Sequence, residues 1–192
     1  MKNKPTKRRK GILGLVVASA ILIAGFACTK QQVDTFTTIG FNYTYEVSIP
    51  DTTISETQPA EGKYVSPEID TKWTETIKNA KSSADLVSEI KMTRLSVTCM
   101  DGTANLDYVK NIKIYIKSAN NAEVLLTVKD SIPAGAYTLN MDLKDLNLKN
   151  YIFEDKIQFR TDITFKPASI IFAQKLRMYA SLLGSAKVSG LK

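Results

Sequence analysis

Histidine is absent from all 192 residues. That one absence removes Ser-His-Asp and Cys-His catalysis and every imidazole metal site. Nor is there a Gly-x-Ser-x-Gly elbow to present a serine nucleophile. Carboxylate, lysine, serine or tyrosine chemistry stays open, but no motif points to it, so no catalytic residue and no cofactor is expected. Cysteine occurs twice, at Cys28 and Cys99. Cys99 lies in the alternating run Leu95-Ser96-Val97-Thr98-Cys99, where a buried apolar role is expected.

Net charge is scarce as well, once its location is considered. The formal +7 comes from 26 basic and 19 acidic residues, but six of the basic ones and none of the acidic ones precede Cys28. From Cys28 onward the chain carries 20 basic against 19 acidic side chains. A nucleic-acid partner loses its main support, because such binding rests on a basic surface.

The six early positive charges are Lys2, Lys4, Lys7, Arg8, Arg9 and Lys10, and an uncharged apolar run from Gly11 to Ala27 follows them. A basic n-region, an apolar stretch and small residues before a processing point form a secretory leader. At 17 residues the run is short for a spanning helix, which usually needs roughly 20. Gly25-Phe26-Ala27-Cys28 resembles the lipobox of bacterial lipoproteins, in the looser form found in Bacteroidetes. The resemblance implies cleavage before Cys28, a diacylglycerol on its thiol and palmitate-type acylation. No Asp stands beside Cys28, which by the same resemblance favours the outer membrane. The competing reading is an uncleaved signal anchor with Cys28 as an ordinary thiol. If Cys28 is acylated, Cys99 has no intrachain partner and packing alone must stabilise the domain.

Residues 28–35 are polar and read as a tether, leaving 36–192 as one domain with enough chain for its own core. Its first element is the clearest. Ile39, Phe41, Tyr43, Tyr45, Val47 and Ile49 alternate with polar or small residues, which predicts a half-buried strand. Residues 50–68 hold three of the six prolines and read as a loop. Together with residues 69–88, they suggest an irregular or helical insertion over about 50–88. Ile69, Trp73, Ile77 and Ala80 predict a helix over 69–81, with Ser66 and Pro67 as its start.

Strand signals then dominate. Ile90 and Met92 lie on one phase, and Leu95, Val97 and Cys99 on the other, so a bulge near Thr93–Arg94 is expected. Ile112–Ile116, Val124–Val128, Tyr137–Leu143 and Ile157–Phe165 come next, with a helical turn or two within 145–153. The tail from Ile170 to Leu183 fits either period. A strand is preferred, because it would complete a hairpin with Ile157–Phe165. Short strands with turn signals between them predict an all-β fold with minor α content, an Ig-like or related β-sandwich.

Four stretches carry a second resemblance: EIKMTRLSVTCMDG, LDYVKNIKIYIKS, LNMDLKDLNLKNYI and the Ile-rich segment after them. Together they resemble a group of small Bacteroidetes lipoproteins of uncertain function. The likeness implies an envelope β-domain and transfers no functional residue.

Candidate sites are few. Asp101, Thr103, Asn105 and Asp107 alternate oxygens as a calcium loop does, but Leu106 and Ile112 occupy the positions that need Gly and Glu, so no metal is expected. Asp142 with Asp145, and Glu154 with Asp155, could be paired carboxylates, although solvated charge explains them as well. Trp73 and Tyr115 are the aromatics nominated for stacking on a sugar ring, against the plainer reading of packing. Asp51-Thr52-Thr53 and Asp130-Ser131-Ile132 resemble the O-glycosylation acceptor of Bacteroidetes, which nominates Thr52 and Ser131. The leading expectation is a non-enzymatic, membrane-anchored envelope lipoprotein with a structural, accessory or partner-binding role. The alternative is a carbohydrate- or peptide-binding module of an outer-membrane uptake system. The expected partners are the membrane, through lipid on Cys28, and an envelope protein or glycan.

Overall fold

The structure, a computed structural model, describes residues 36–55, 57–101 and 104–187. The leader, the Gly25–Cys28 box and the tether lie outside the described residues, and so does any test of them. Among the described residues no helix is long and apolar enough to cross a membrane.

Strict alternation places every second residue of β1 (Phe36–Ile49) against the core, from Ile39 to Ile49. β1 pairs antiparallel with the last strand, β11 (Gln174–Lys187), from Phe36↔Lys187 to Ile49↔Gln174 without a register shift. β11 pairs in turn with β5 (Val87–Cys99), and β5 with β8 (Thr138–Asn140), completing a four-stranded sheet. The two phases of β5 meet at a register shift. Arg94 pairs with Ser181 and Met92 with Leu182, which leaves Thr93 as the extra residue. Its hydroxyl donates to the Ser181 carbonyl at 3.2 Å.

The tail is therefore a strand, but not the hairpin partner of Ile157–Phe165. That segment, β9 (Lys156–Phe165), lies in the second sheet between β3 (Glu61–Val65) and β6 (Val109–Ser118), with β7 (Val124–Lys129) beyond β6. β2 (Thr52–Thr53) pairs separately with β10 (Ile170–Ile171). The two main sheets face each other. Tyr45 of β1 stacks on Phe159 of β9, with ring centroids 5.0 Å apart. The Tyr45 hydroxyl and Thr161 Oγ1 share a hydrogen bond of 3.1 Å across the same gap. The molecule is a β-sandwich with little helix.

Two expectations from the sequence are corrected. Residues 50–88 hold strands as well as helix, since β3 and β4 (Ile69–Asp70) form the edge of the second sheet along β9 ahead of the short helical turns at Trp73–Asn79 and Ala84–Leu86. The helix predicted over 69–81 shrinks to α1 (Trp73–Asn79), entered through Lys72 at φ 51°. Ser66 is not its cap, because the serine is buried and committed to β9. Its Oγ accepts the Phe159 N–H at 3.0 Å, and its own N–H donates to the Phe159 carbonyl at 2.8 Å. Ladder hydrogen bonds with β9 thus hold 66–70 extended.

The run Tyr137–Leu143 is likewise split. β8 pairs with β5, whereas Leu143 bridges Thr127 of β7, so this stretch steps from one sheet to the other and closes one side of the sandwich. On the other side the Tyr43 hydroxyl donates to the Thr71 carbonyl at 3.1 Å. A single turn, α2 (Lys149–Ile152), buries Ile152.

Candidate functional site

The residues nominated from sequence do not come together. Trp73 is half-buried on α1 and stacks on Phe153 at 4.9 Å. Tyr115 is half-buried on the outer side of the second sheet, where the Arg160 guanidinium lies 3.9 Å from its ring centroid. Arg160 is itself held by Glu123 at 2.7 Å and by Asp162. A cation therefore already covers one face of Tyr115. Thr52 sits in β2 with its hydroxyl donating to the Pro50 carbonyl at 3.1 Å, and Ser131 is exposed after β7. Cys28, Gly25, Phe26 and Ala27 lie outside the described residues.

Three of the four candidate carboxylates have lysine or amide partners. Asp142 pairs with Lys129 and Asp145 with Lys91, each at 2.9 Å, and Glu154 accepts from Asn120. In the would-be calcium loop, Asp107 accepts the Gly135 N–H at 2.6 Å and Asn105 accepts the Asp107 N–H at 3.0 Å. These bonds shape a turn. Among the described residues no cluster of acidic or cysteine side chains could hold a metal.

A different place has the character of a binding site. Residues 104–108, 131–137 and 166–173 gather at one end of the sandwich, beside the end of β1 at Ile49 and the start of β11 at Gln174. Hydrogen bonds link them: Cys99 N–H to the Tyr137 carbonyl, Met100 N–H to the Lys175 carbonyl and Leu106 N–H to the Ala136 carbonyl, all at 2.9 Å. Met100, Tyr137, Ile170 and Phe172 at this end are large apolar or aromatic residues that face water, and Phe172 is 77% exposed. Ile171 is buried between Ile170 and Phe172, because neighbours on a strand point to opposite sides.

Beside Ile170 and Phe172 opens a cleft of about 530 Å³, in which Tyr108 adds a second aromatic wall and Asp101, Asn105 and Gln174 supply polar groups. Apolar walls with a few convergent polar groups are the usual make-up of a ligand site. A second cleft of the same volume is lined by Glu68, Lys117, Glu154 and Lys156, and there Lys156 and Glu68 already pair at 2.7 Å. The loop-end cleft is the better candidate.

Cys99 is not poised there as a nucleophile. It lies beneath the cleft, with its Sγ 3.5 Å from Gln174 Oε1. Burial, helped by the Asp101 carboxylate, pushes the Cys99 thiol up to about 11. A reactive cysteine needs the opposite shift. The missed signal was the run Ile170-Ile171-Phe172. In a two-residue strand paired with β2, one phase of this run is left to solvent.

No protein-family model and no curated protein matches the chain. Among solved structures, one of carbohydrate-binding modules from the β-sandwich superfamily is similar, with a TM-score of 0.30 and 13% identity over 79% of this chain. The chain spans 57% of that structure's length. Likeness at this level carries no argument about a ligand.

Proposed function

We propose that the chain is a lipid-anchored protein of the bacterial outer membrane, without a catalytic role, whose β-sandwich binds an envelope partner. The observation that carries this reading is Gly25-Phe26-Ala27-Cys28 at the end of a basic and then apolar leader. The physics of such an anchor is simple. Each buried methylene contributes about 0.8 kcal/mol, and one myristoyl chain holds only marginally. Two or three acyl chains on one cysteine anchor a domain firmly with no spanning helix. Cys28→Ser should abolish incorporation of labelled palmitate and leave a precursor heavier by the leader. Unchanged labelling of that variant rules the reading out.

The loop-end cleft favours a more specific second reading, in which the bound partner is a carbohydrate or an extended peptide. An aromatic ring such as Phe172 presents an apolar face to the C–H face of a sugar, while Asn105 and Gln174 can exchange hydrogen bonds with hydroxyls. Phe172→Ser should weaken binding on a glycan or peptide array at least tenfold. The side chain packs on little, so folding stability should stay within about 0.5 kcal/mol. Retained array binding in Phe172→Ser moves the site away from this cleft.

A further inference from the structure

The charge in the loop-end cleft narrows what can enter it. Among the described residues that line it, Asp101 alone carries a formal charge. Its carboxylate is exposed, and no described lysine or arginine pairs with it. Glu68 in the second cleft differs, because Lys156 already holds it at 2.7 Å.

The hydrogen-bonding capacity left over has the same sign. The Tyr108 hydroxyl is shut off from water without a hydrogen bond of normal length among the described residues, and the Gln174 side chain approaches it. Gln174 is itself only 8% exposed. Its Oε1 receives the Cys99 thiol at 3.5 Å, and a thiol is a weak donor. A carboxylate, a phenol oxygen and an amide oxygen thus keep room to accept. The rings of Phe172 and Tyr108 add faces that are negative as well.

We propose that the cleft takes the side chain of a lysine from a peptide partner. The proposal rests on the second reading above, in which this cleft binds, and it chooses between the two ligands named there. A lysine ammonium has three donors and no acceptor, which matches the acceptors at Asp101, Tyr108 and Gln174. Its charge is attracted by the carboxylate and by an aromatic face. Its four-carbon stem needs an apolar wall, and Ile170 and Phe172 supply one that now faces water. Acceptors at three separate positions suit the rotatable donors of an ammonium better than the fixed fork of arginine. A neutral sugar would leave Asp101 without a counter-charge and has no use for Ile170. An acidic peptide would meet only repulsion.

The test uses the full chain in detergent micelles and a labelled pentapeptide, capped at both ends, with two alanines on each side of a central lysine. Parallel peptides carry norleucine, arginine or glutamate at the centre, and norleucine keeps the stem without the ammonium. Fluorescence anisotropy should show the lysine peptide binding at least tenfold more tightly than the norleucine peptide, and more tightly than the arginine and glutamate peptides. Asp101→Asn should cut the preference for lysine over norleucine below threefold with no change in the β circular dichroism signal. Nα-acetyl-lysine amide should compete, and glucosamine, which has an ammonium but no stem, should not. Lack of binding by the lysine peptide, equal binding of the norleucine or arginine peptide, an unchanged preference in Asp101→Asn, or equal competition by glucosamine overturns the proposal. If neutral glycans bind in a Phe172-dependent way while lysine shows no preference, the cleft stands as a site and the lysine assignment alone falls. If no ligand responds to Phe172→Ser, the site itself falls.

Discussion

Phe159→Ala should be the most damaging single truncation, costing about 3–5 kcal/mol, the usual range for a large buried aromatic. Phe159 is fully buried and stacks on Tyr45, so its ring is where the two sheets touch. Removing it leaves a cavity on both sides of the gap and loosens the Tyr45–Thr161 hydrogen bond beside it. The backbone of Phe159 also holds Ser66 through two hydrogen bonds, which the truncation leaves in place. Thr44→Ala is the matching control. It lies on the outward side of β1, and its loss should stay within about 0.5 kcal/mol. Urea denaturation of both variants decides the point, and losses of equal size would mean that the sheets are not stacked through Tyr45 and Phe159.

Period two made β1 and β9 legible, because each buries one phase and wets the other. The bulge at Thr93 was legible for the same reason, since a change of phase within one strand has few other causes. Partner choice was not legible. β9 and β11 both alternate, yet the chain sends them to different sheets, and nothing in a strand's own period says which neighbour it will pair with. Residues 66–70 were misread because Ser-Pro before a polar stretch is a good helix start. The buried hydrogen bonds of Ser66 to Phe159 lie 93 residues away in sequence and outweigh local preference. Trp73 and Tyr115 were nominated for stacking on a sugar ring. The structure gives each a neighbouring side chain, whereas Phe172, which periodicity assigned to a strand or a helix face, stands in water.

Alkali should destabilise the domain strongly between pH 8 and pH 11. Burial raises the phenols of Tyr43 and Tyr45 far above the ordinary tyrosine range, with the Asp70 carboxylate adding to the effect at Tyr43. It raises the Cys99 thiol to about 11. Each of these groups is neutral when protonated, so the fold favours the protonated form. Below about pH 8 both folded and unfolded chains keep these protons, and the shifts contribute nothing. As pH rises past the unfolded value of about 8.5 for cysteine, and then about 10 for tyrosine, the unfolded chain releases protons that the folded chain must retain. Stability then falls by about 1.4 kcal/mol per pH unit for each group, until its folded pKa is reached. Summed over the two phenols and the thiol, the loss from pH 8 to pH 11 is on the order of 5 kcal/mol, comparable with the whole stability of many domains. Urea melts at pH 8, 9, 10 and 11 measure it directly. Cys99→Ser should remove the part of the decline between pH 9 and 10, and Tyr45→Phe should make the slope above pH 10 shallower. A flat profile through pH 11 would show that the phenols reach water in the folded protein, and that the Tyr45–Thr161 contact between the sheets is open.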